Sequence, residues 1–599
     1  MQGEIPLELR NVTFSYPSSP EPVLKEINLK IHRGEFVGIV ARTGSGKSTL
    51  LSLMAGVIPH HYQGELEGEV LLYGEETRTL SLARFGVHTG MVMQDPDSQL
   101  FNLLVKDEVV WGLENRGVPR EEMGRRLDEV LRFFHIEDFK ERITYDLSGG
   151  EKQRVVLSSV YVSRPSVLLL DNPTSQLDPL GAEYVIQSIK QVLETNETVV
   201  MVEDKIDELL GHADRLVLLH EGQILLDCPP QEFVTHRELL ESVGITPPEI
   251  FDLGTRLRGA GLHLQPVPTT LEEALPVYEG LLNGRGPQTA VPDVATAVAR
   301  ASGQPQREVS AAASGPGAKK RAGERPHNAV VVNNVDFVYP PPRPIQALQS
   351  INLTFEQGSF VAIIGQNGSG KTTLARCMAG YLKPTNGEII IGGRDVHAID
   401  IYERARRVGY VFQNPETQLF RGSVYDEVLF TLSYQGIKGP EAEQRVKDIL
   451  EFLDLWDQAH LHPFRLSMGD KQRLAIACIA VLRPDALIID EPTTGQDPSH
   501  AWAIMTLLQE LREEFGITVV VITHAMTLVA NFCDRVIALC QGEVLLDAPP
   551  REVFAEMDEL AKTFVKPPTI TQLALQLGIN PPPLNVNEAE AIFRERLLS

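Results

Sequence analysis

The sequence predicts an α/β protein in which one domain is built twice. Three observations carry this reading. Short apolar runs that end abruptly in a turn or an acid, such as ALIIDEP (486–492), suit buried parallel strands with polar groups at their carboxyl ends. One such run, Phe360–Ile364, opens directly into GQNGSGKTT (365–373), the strand, glycine-rich turn and helix start of a phosphate-binding loop. Each of these segments returns about 320 residues away, a period that means duplicated domains rather than a solenoid.

The repeat can be followed motif by motif. ELRNVTFSYP (8–17) returns as VVNNVDFVYP (331–340), TGSGKSTL (43–50) as NGSGKTTL (367–374), and VMQDPDSQLF (92–101) as VFQNPETQLF (411–420). DLSGGEKQR (146–154) returns as RLSMGDKQR (465–473), and VLLLDNPTSQLD (167–178) as ALIIDEPTTGQD (486–497). The tails match too, GITPPEIFDLGTRL (244–257) with FVKPPTITQLALQL (564–577). Between the copies, residues 284–327 turn to Ala, Gly, Pro, Ser and Gln, a composition that buries too little apolar surface to offset its ordering entropy and reads as a flexible tether. The expected domains are therefore 1–283, a linker at 284–327, and 328–599. Each copy runs through β-rich, helical and α/β stretches to a short C-terminal extension.

With 599 residues, 43% hydrophobic and 23% charged, the chain has the composition of a multidomain globular protein. A formal charge of −25 argues against nucleic acid as a partner, because phosphate backbones are bound through a basic footprint. The five cysteines (228, 377, 478, 533 and 540) form no CxxC pair, which fits a reducing compartment and gives no cysteine metal site. The first residues, MQGEIPLELRN, lack the regions of a signal peptide. No apolar run reaches spanning length, so a cytoplasmic product is expected.

In the second copy, glycines let the loop wrap a phosphate chain with backbone N–H groups and a helix N-terminus facing the anion. Lys371 then neutralises the β- and γ-phosphates and Thr372 ligates Mg²⁺. Asp490 holds the Mg²⁺ shell, and Glu491 is the candidate general base for water attacking the γ-phosphate. The strand after the acids ends in His524, placed to reach the γ-phosphate and hold the attacking water.

The motifs, in order, are the P-loop, a glutamine after a strand (Gln413, and Gln94 in the first copy), LSGGEKQR (147–154), the acid pair, a D-loop ending in Asp497, and His524. Together they resemble a tandem pair of ATP-binding-cassette (ABC) ATPases, and LSGGxxQR ahead of an acidic strand is specific to that family. The resemblance covers nearly everything outside the linker. It implies an α/β fold of two P-loop ABC nucleotide-binding domains, each with an antiparallel β subdomain, a helical subdomain and a small C-terminal extension. It also implies an intramolecular head-to-tail dimer burying two ATPs, each between the P-loop of one copy and the signature of the other. Nucleotide contacts follow for Tyr339, Gly365, Gln366, Asn367, Gly368, Ser369, Gly370, Lys371, Thr372 and Thr373 in the second copy. In the first they follow for Tyr16, Ala41, Arg42, Thr43, Gly44, Ser45, Gly46, Lys47, Ser48 and Thr49. The signatures contribute Ser148, Gly149 and Gly150, and Ser467 and Gly469. The tyrosines resemble the ring that stacks on adenine. Mg²⁺ falls to Thr372, Gln413 and Asp490, and to Ser48, Gln94 and Asp171.

The copies differ at their working positions. The first has Ala41 where the second has Gly365, a minor change if its backbone angle is ordinary. Its acid pair is Asp171–Asn172, and an amide can orient water but cannot accept its proton near neutral pH. Asp204 stands where the second copy has His524. An anion about 4 Å from the γ-phosphate costs on the order of 4 kcal/mol per unit charge at an effective dielectric near 20, so Asp204 is either turned away or leaves a poor site. Head-to-tail pairing completes the Glu491 site with the intact LSGGE (147–151). The Asp171 site receives the altered LSMGD (466–470), in which Met468 replaces a glycine. One hydrolytic site and one that binds ATP mainly to hold the dimer is the expected division.

QDPDSQLF and QNPETQLF, with the PP-x-I-x-x-L tails at 247–253 and 567–573, resemble the energy-coupling-factor importers of vitamins and transition metals. That resemblance implies a transmembrane scaffold subunit, a separate substrate-binding membrane subunit, and a peripheral position on the cytoplasmic face of the membrane. It places Asp95–Phe101 and Asn414–Phe420 along the scaffold's coupling grooves. A tandem ATPase of a sugar importer is the nearer alternative, disfavoured by the linker length and the tails. A soluble, translation-factor-like tandem ATPase is disfavoured by the acidic total.

Overall fold

The computed structural model describes residues 4–283 and 328–598, apart from 18, 20, 176, 178, 196, 341–343 and 494–497. The linker expected at 284–327 and the D-loop residue Asp497 lie outside the described residues. The chain packs as two compact units, one over Met1–Phe251 and the other over most of 252–599.

In the first unit, β1 (Leu7–Ser15), β2 (Leu24–Ile31), β4 (Glu65–Leu72) and β5 (Glu75–Glu76) form an antiparallel sheet in the order β2-β1-β4-β5. A six-stranded sheet contains β3 (Phe36–Ala41), β6 (Thr89–Val92), β7 (Val167–Asp171), β8 (Thr198–Glu203), β9 (Arg215–His220) and β10 (Gln223–Cys228). Its order is β10-β9-β3-β8-β7-β6, parallel except for the β9–β10 edge. Every residue of β3, β7 and β8 is buried, which is why these segments read as unbroken apolar runs: central parallel strands are covered on both faces. The helices Val105–Glu114, Arg120–Phe133 and Gly149–Tyr161 form the helical subdomain between β6 and β7.

The second unit repeats the plan. β11 (Asn328–Tyr339), β12 (Ile345–Glu356), β14 (Asn386–Ile391) and β15 (Arg394–Asp395) give the order β12-β11-β14-β15. β13 (Phe360–Ile364), β16 (Val408–Val411), β17 (Ala486–Asp490), β18 (Thr518–Ile522), β19 (Arg535–Cys540) and β20 (Glu543–Ala548) give β16-β17-β18-β13-β19-β20. Successive side chains of a strand point to opposite faces, and two cores use the alternation. Val361, Ile363, Ala486 and Ile488 face the antiparallel sheet, whereas Phe360, Ala362, Leu487 and Ile489 face the helices. Parallel pairing of β17 with β18 and of β18 with β13 brings the P-loop, the acid pair and the residues after β18 to one sheet edge.

The second unit also contains 252–283, which the sequence assigns to the first copy's extension. The helix Leu271–Asn283 packs on the tail helices Thr569–Gln576 and Val586–Leu598. Tyr278 is fully buried there, 5.1 Å from the ring of Phe593. Arg256, on the helix Glu249–Gly259, donates to Asn587 Oδ1 (2.7 Å) and pairs with Glu590 (3.3 Å). Among the described residues no helix is long and apolar enough to cross a membrane.

Candidate nucleotide sites

In the second copy the chain leaves β13 through Gly365 at φ 142. A Cβ there would lie 2.3 Å from the Leu539 carbonyl oxygen, so only glycine lets the loop turn this close to β19. Gly370 caps the helix Lys371–Met378 at φ 103, where a Cβ would meet the Ala347 carbonyl oxygen at 2.4 Å. The loop is thus held against two strands by contacts that exclude side chains. Lys371 Nζ donates to the carbonyls of Gly365 (2.7 Å) and Gln366 (2.9 Å), which folds it back along the loop. Thr372 Oγ1 donates to Asp490 Oδ1 (3.3 Å) and the Tyr410 hydroxyl to Asp490 Oδ2 (2.8 Å). Glu491 sits in the left-handed region at φ 50, its N–H bonded to Ile522 O (2.9 Å). His524 Nε2 is 3.2 Å from Glu491 Oε1, with both side chains largely buried. The expected base and the expected water-holding histidine therefore meet.

The first copy builds the same frame and fills it differently. Ala41 stays in β3, paired with Leu219, so the strand runs one residue further than in the second copy and needs no glycine. Asp204 is turned into the site: its Oδ1 forms an ion pair with Lys47 Nζ, the side chains being 9% and 10% exposed. Its Oδ2 accepts from Asn172 Nδ2 (3.0 Å). Asp171 is 5% exposed, and burial holds its carboxyl above the usual range against the hydrogen bond from Ser48 and the charge of Lys47. Where the second copy has Tyr410, the first has Met91, and Asp171 Oδ1 is buried without a hydrogen-bond partner among the described residues.

The signatures differ by more than Met468. In the first copy Ser148 caps the helix Gly149–Tyr161 in a capping box, accepting from Glu151 N while Glu151 accepts from Ser148 N. In the second, Ser467 accepts from Asp470 N (3.1 Å) and its hydroxyl donates to Asp470 Oδ2 (2.8 Å). One methylene fewer brings the acid onto the serine hydroxyl, so the Ser467 proton is committed inside its own cap. Met468 is 47% exposed at the first helical position.

Each aromatic candidate is tied to its own P-loop helix: Tyr16 to Thr49 Oγ1 (3.2 Å) and Tyr339 to Thr373 Oγ1 (3.1 Å). Gln94 Nε2 donates to Ser175 Oγ (3.4 Å), and Gln413 is exposed after β16. Sequence reasoning missed Tyr410 and Glu203. The signal for Tyr410 was a hydroxyl in the otherwise apolar run VGYV (408–411). Glu203 is a carboxyl inside a buried strand, accepting from Thr174 N (3.3 Å) and Oγ1 (2.7 Å).

These residues fit Mg²⁺. A hydroxyl and a carboxylate oxygen stand together at each P-loop helix, and the buried, unpartnered Asp171 Oδ1 is the kind of hard oxygen that this ion takes while keeping several waters. The glycine-lined turns fit a phosphate chain: at Gly44 and Gly368, both at positive φ, an added Cβ would meet nothing within 4 Å, which leaves open space beside the loop.

Comparison with known proteins places the chain in a family. The family described as ABC transporter matches residues 24–175 and 348–494. A Methanosarcina mazei protein described as an ABC transporter ATP-binding protein is 35% identical over 598 residues, 98% of this chain and 97% of its own. A similarly described protein of Caldanaerobacter subterraneus subsp. tengcongensis is 35% identical over 95% of this chain and 96% of its own. Among solved structures, cbiO1 from Clostridium perfringens, described as part of the ABC transporter complex cbiONQ, is 36% identical over 39% of this chain and 94% of its own, with a TM-score of 0.36.

Proposed function

We propose that this chain, which belongs to the ABC transporter ATP-binding proteins, is the motor subunit of an energy-coupling-factor-type importer. In this reading 1–283 and 328–599 are its two ATPase domains, joined by the linker 284–327, and one of their two sites hydrolyses ATP. The observation that carries the assignment to a membrane partner is a matching pair of exposed aromatic loops. Phe101 is 55% and Phe420 63% exposed. In each copy a buried glutamate clamps the loop from below: Glu108 accepts from Phe101 N and Asn102 N, and Glu427 from Phe420 N and Arg421 N. Rigid, exposed apolar side chains mark interaction surfaces, and these follow Gln94 and Gln413, where the family couples to its membrane subunits. The expected partners are a transmembrane scaffold, contributing a short helix to each loop, and a separate substrate-binding membrane protein. The chain would sit peripherally on the cytoplasmic face.

Mg²⁺, held by Thr372 and Asp490, would neutralise the charge that develops on the γ-phosphate. Lys371 exchanges its two carbonyl contacts for phosphate oxygens when ATP enters. Glu491 takes the proton of the attacking water, and His524, 3.2 Å away, holds that water in line. Closure on ATP favours whichever transporter state binds the closed pair better, and only by that difference in affinity; hydrolysis then reopens it. The first site lacks a base, since Asn172 is an amide.

The asymmetry is tested by steady-state ATPase of the purified chain. Glu491→Gln is expected to lower turnover at least a hundredfold and Asn172→Ala less than threefold; comparable losses would refute it. Co-purification from membranes separates the importer readings, and a ribosomal or nucleic-acid partner would overturn them.

A further inference from the structure

We propose that Asp204 is a specificity-determining residue: its carboxylate stands in for a terminal phosphate, so that the first site selects nucleoside diphosphate over triphosphate. The inference rests on reading the first copy's P-loop as a nucleotide site that does not hydrolyse, and departs from the expectation that this site holds ATP.

The P-loop lysine is the group that meets the β- and γ-phosphates. In the first copy its ammonium is already in an ion pair with Asp204 Oδ1, and the other carboxylate oxygen accepts from Asn172 at 3.0 Å. A carboxylate held by an ammonium and an amide N–H makes the contacts that an oxygen of a γ-phosphate would make. The residues that hold it are those that replace the hydrolytic apparatus: Asn172 stands for Glu491 and Asp204 for His524. The substitutions thus form one device, in which the amide that cannot act as a base instead positions the anion. A nucleoside triphosphate must displace Asp204 from Lys47 and then leave that carboxylate beside the γ-phosphate. A diphosphate ends before that position, and the backbone N–H groups of the loop remain for its β-phosphate.

In the second copy the position of Asp204 is taken by His524. Lys371 is bonded to neutral carbonyls of its own loop, which compete with a phosphate far less than a carboxylate does.

The test uses the full chain carrying Lys371→Ala, so that the second site does not contribute, titrated calorimetrically with MgADP and with MgATP. The first site is expected to bind MgADP at least tenfold more tightly than MgATP. Adding Asp204→Asn is expected to tighten MgATP at least tenfold while moving MgADP less than threefold. Asp204→Glu, which keeps the charge, is expected to preserve a preference for the diphosphate. If the asparagine variant does not fold, Asp204→His installs the side chain that the second copy carries and reads the same ratio. Equal affinities before substitution, or equal shifts of both nucleotides after it, would overturn the proposal. Binding of neither nucleotide by any variant would overturn the nucleotide-site reading beneath it.

Discussion

Glu491 occupies a backbone conformation that a glutamate does not favour. At φ 50 an L-residue other than Gly, Asn or Asp bears a penalty of about 1–2 kcal/mol, and strain of this kind is tolerated where function requires the side chain. The first copy holds the equivalent position at φ 43 with Asn172, a residue type that adopts this region readily. Glu491→Asn is therefore expected to raise the melting temperature of the second unit by roughly 1–3 °C, the shift that about 1–2 kcal/mol gives a unit of this size, while abolishing hydrolysis. Calorimetry alongside an ATPase assay checks both; a destabilised variant would refute the strain argument. Lys371, Asp490, Glu491 and His524 were legible in the sequence because their motifs are defined along the chain. The Tyr410–Asp490 hydrogen bond and the inward turn of Asp204 were not, because each depends on side chains that meet across neighbouring strands.

Strands and helices carry the same division. β3, β7 and β8 announced themselves by their apolar runs, and the antiparallel sheets by their repeat. What those runs concealed was a charge-bearing group inside one of them. Glu203, 2% exposed at the end of β8, has its carboxyl pushed up to about 8, chiefly by burial and further by the neighbouring Glu208. Its ordinary value is 4.5, so the folded state holds a proton that the unfolded chain releases between these two values. The stability from burying Glu203 neutral is present below the lower value and is lost as pH rises towards 8. Glu203→Gln keeps an acceptor for Thr174 and cannot ionise. At pH 5 the variant is expected to melt close to the parent, and at pH 8.5 above it; a pH-independent difference in calorimetry would refute the assignment. At the signatures, Glu151 and Asp470 occupy equivalent positions in the sequence, and only the folded chain reveals that the shorter one engages the Ser467 hydroxyl.

For the whole molecule, the duplication was plain in the sequence, but the destination of the first copy's tail was not. Homologous tails suggest that each extension stays with its own copy, whereas 252–283 belongs to the second unit. The contacts that place it there, Tyr278 on Phe593 and Arg256 on Asn587 and Glu590, join residues that no local pattern connects. A protease site inserted within 284–327 and then cut is expected to yield fragments that co-elute on size exclusion, held by these helices. Separation of the fragments after cutting would show that the tail contacts do not suffice to hold them.

The same arrangement sets a timetable for synthesis. The ring of Tyr278 cannot be covered by Phe593 until 315 further residues have been made, roughly 15–60 s at the usual rate of translation. For that interval the first copy can complete its sheets and helical subdomain while its last amphipathic helix waits with its apolar face unmatched. A ribosome that stops within the second copy therefore releases a chain with a finished ATPase fold and a sticky end.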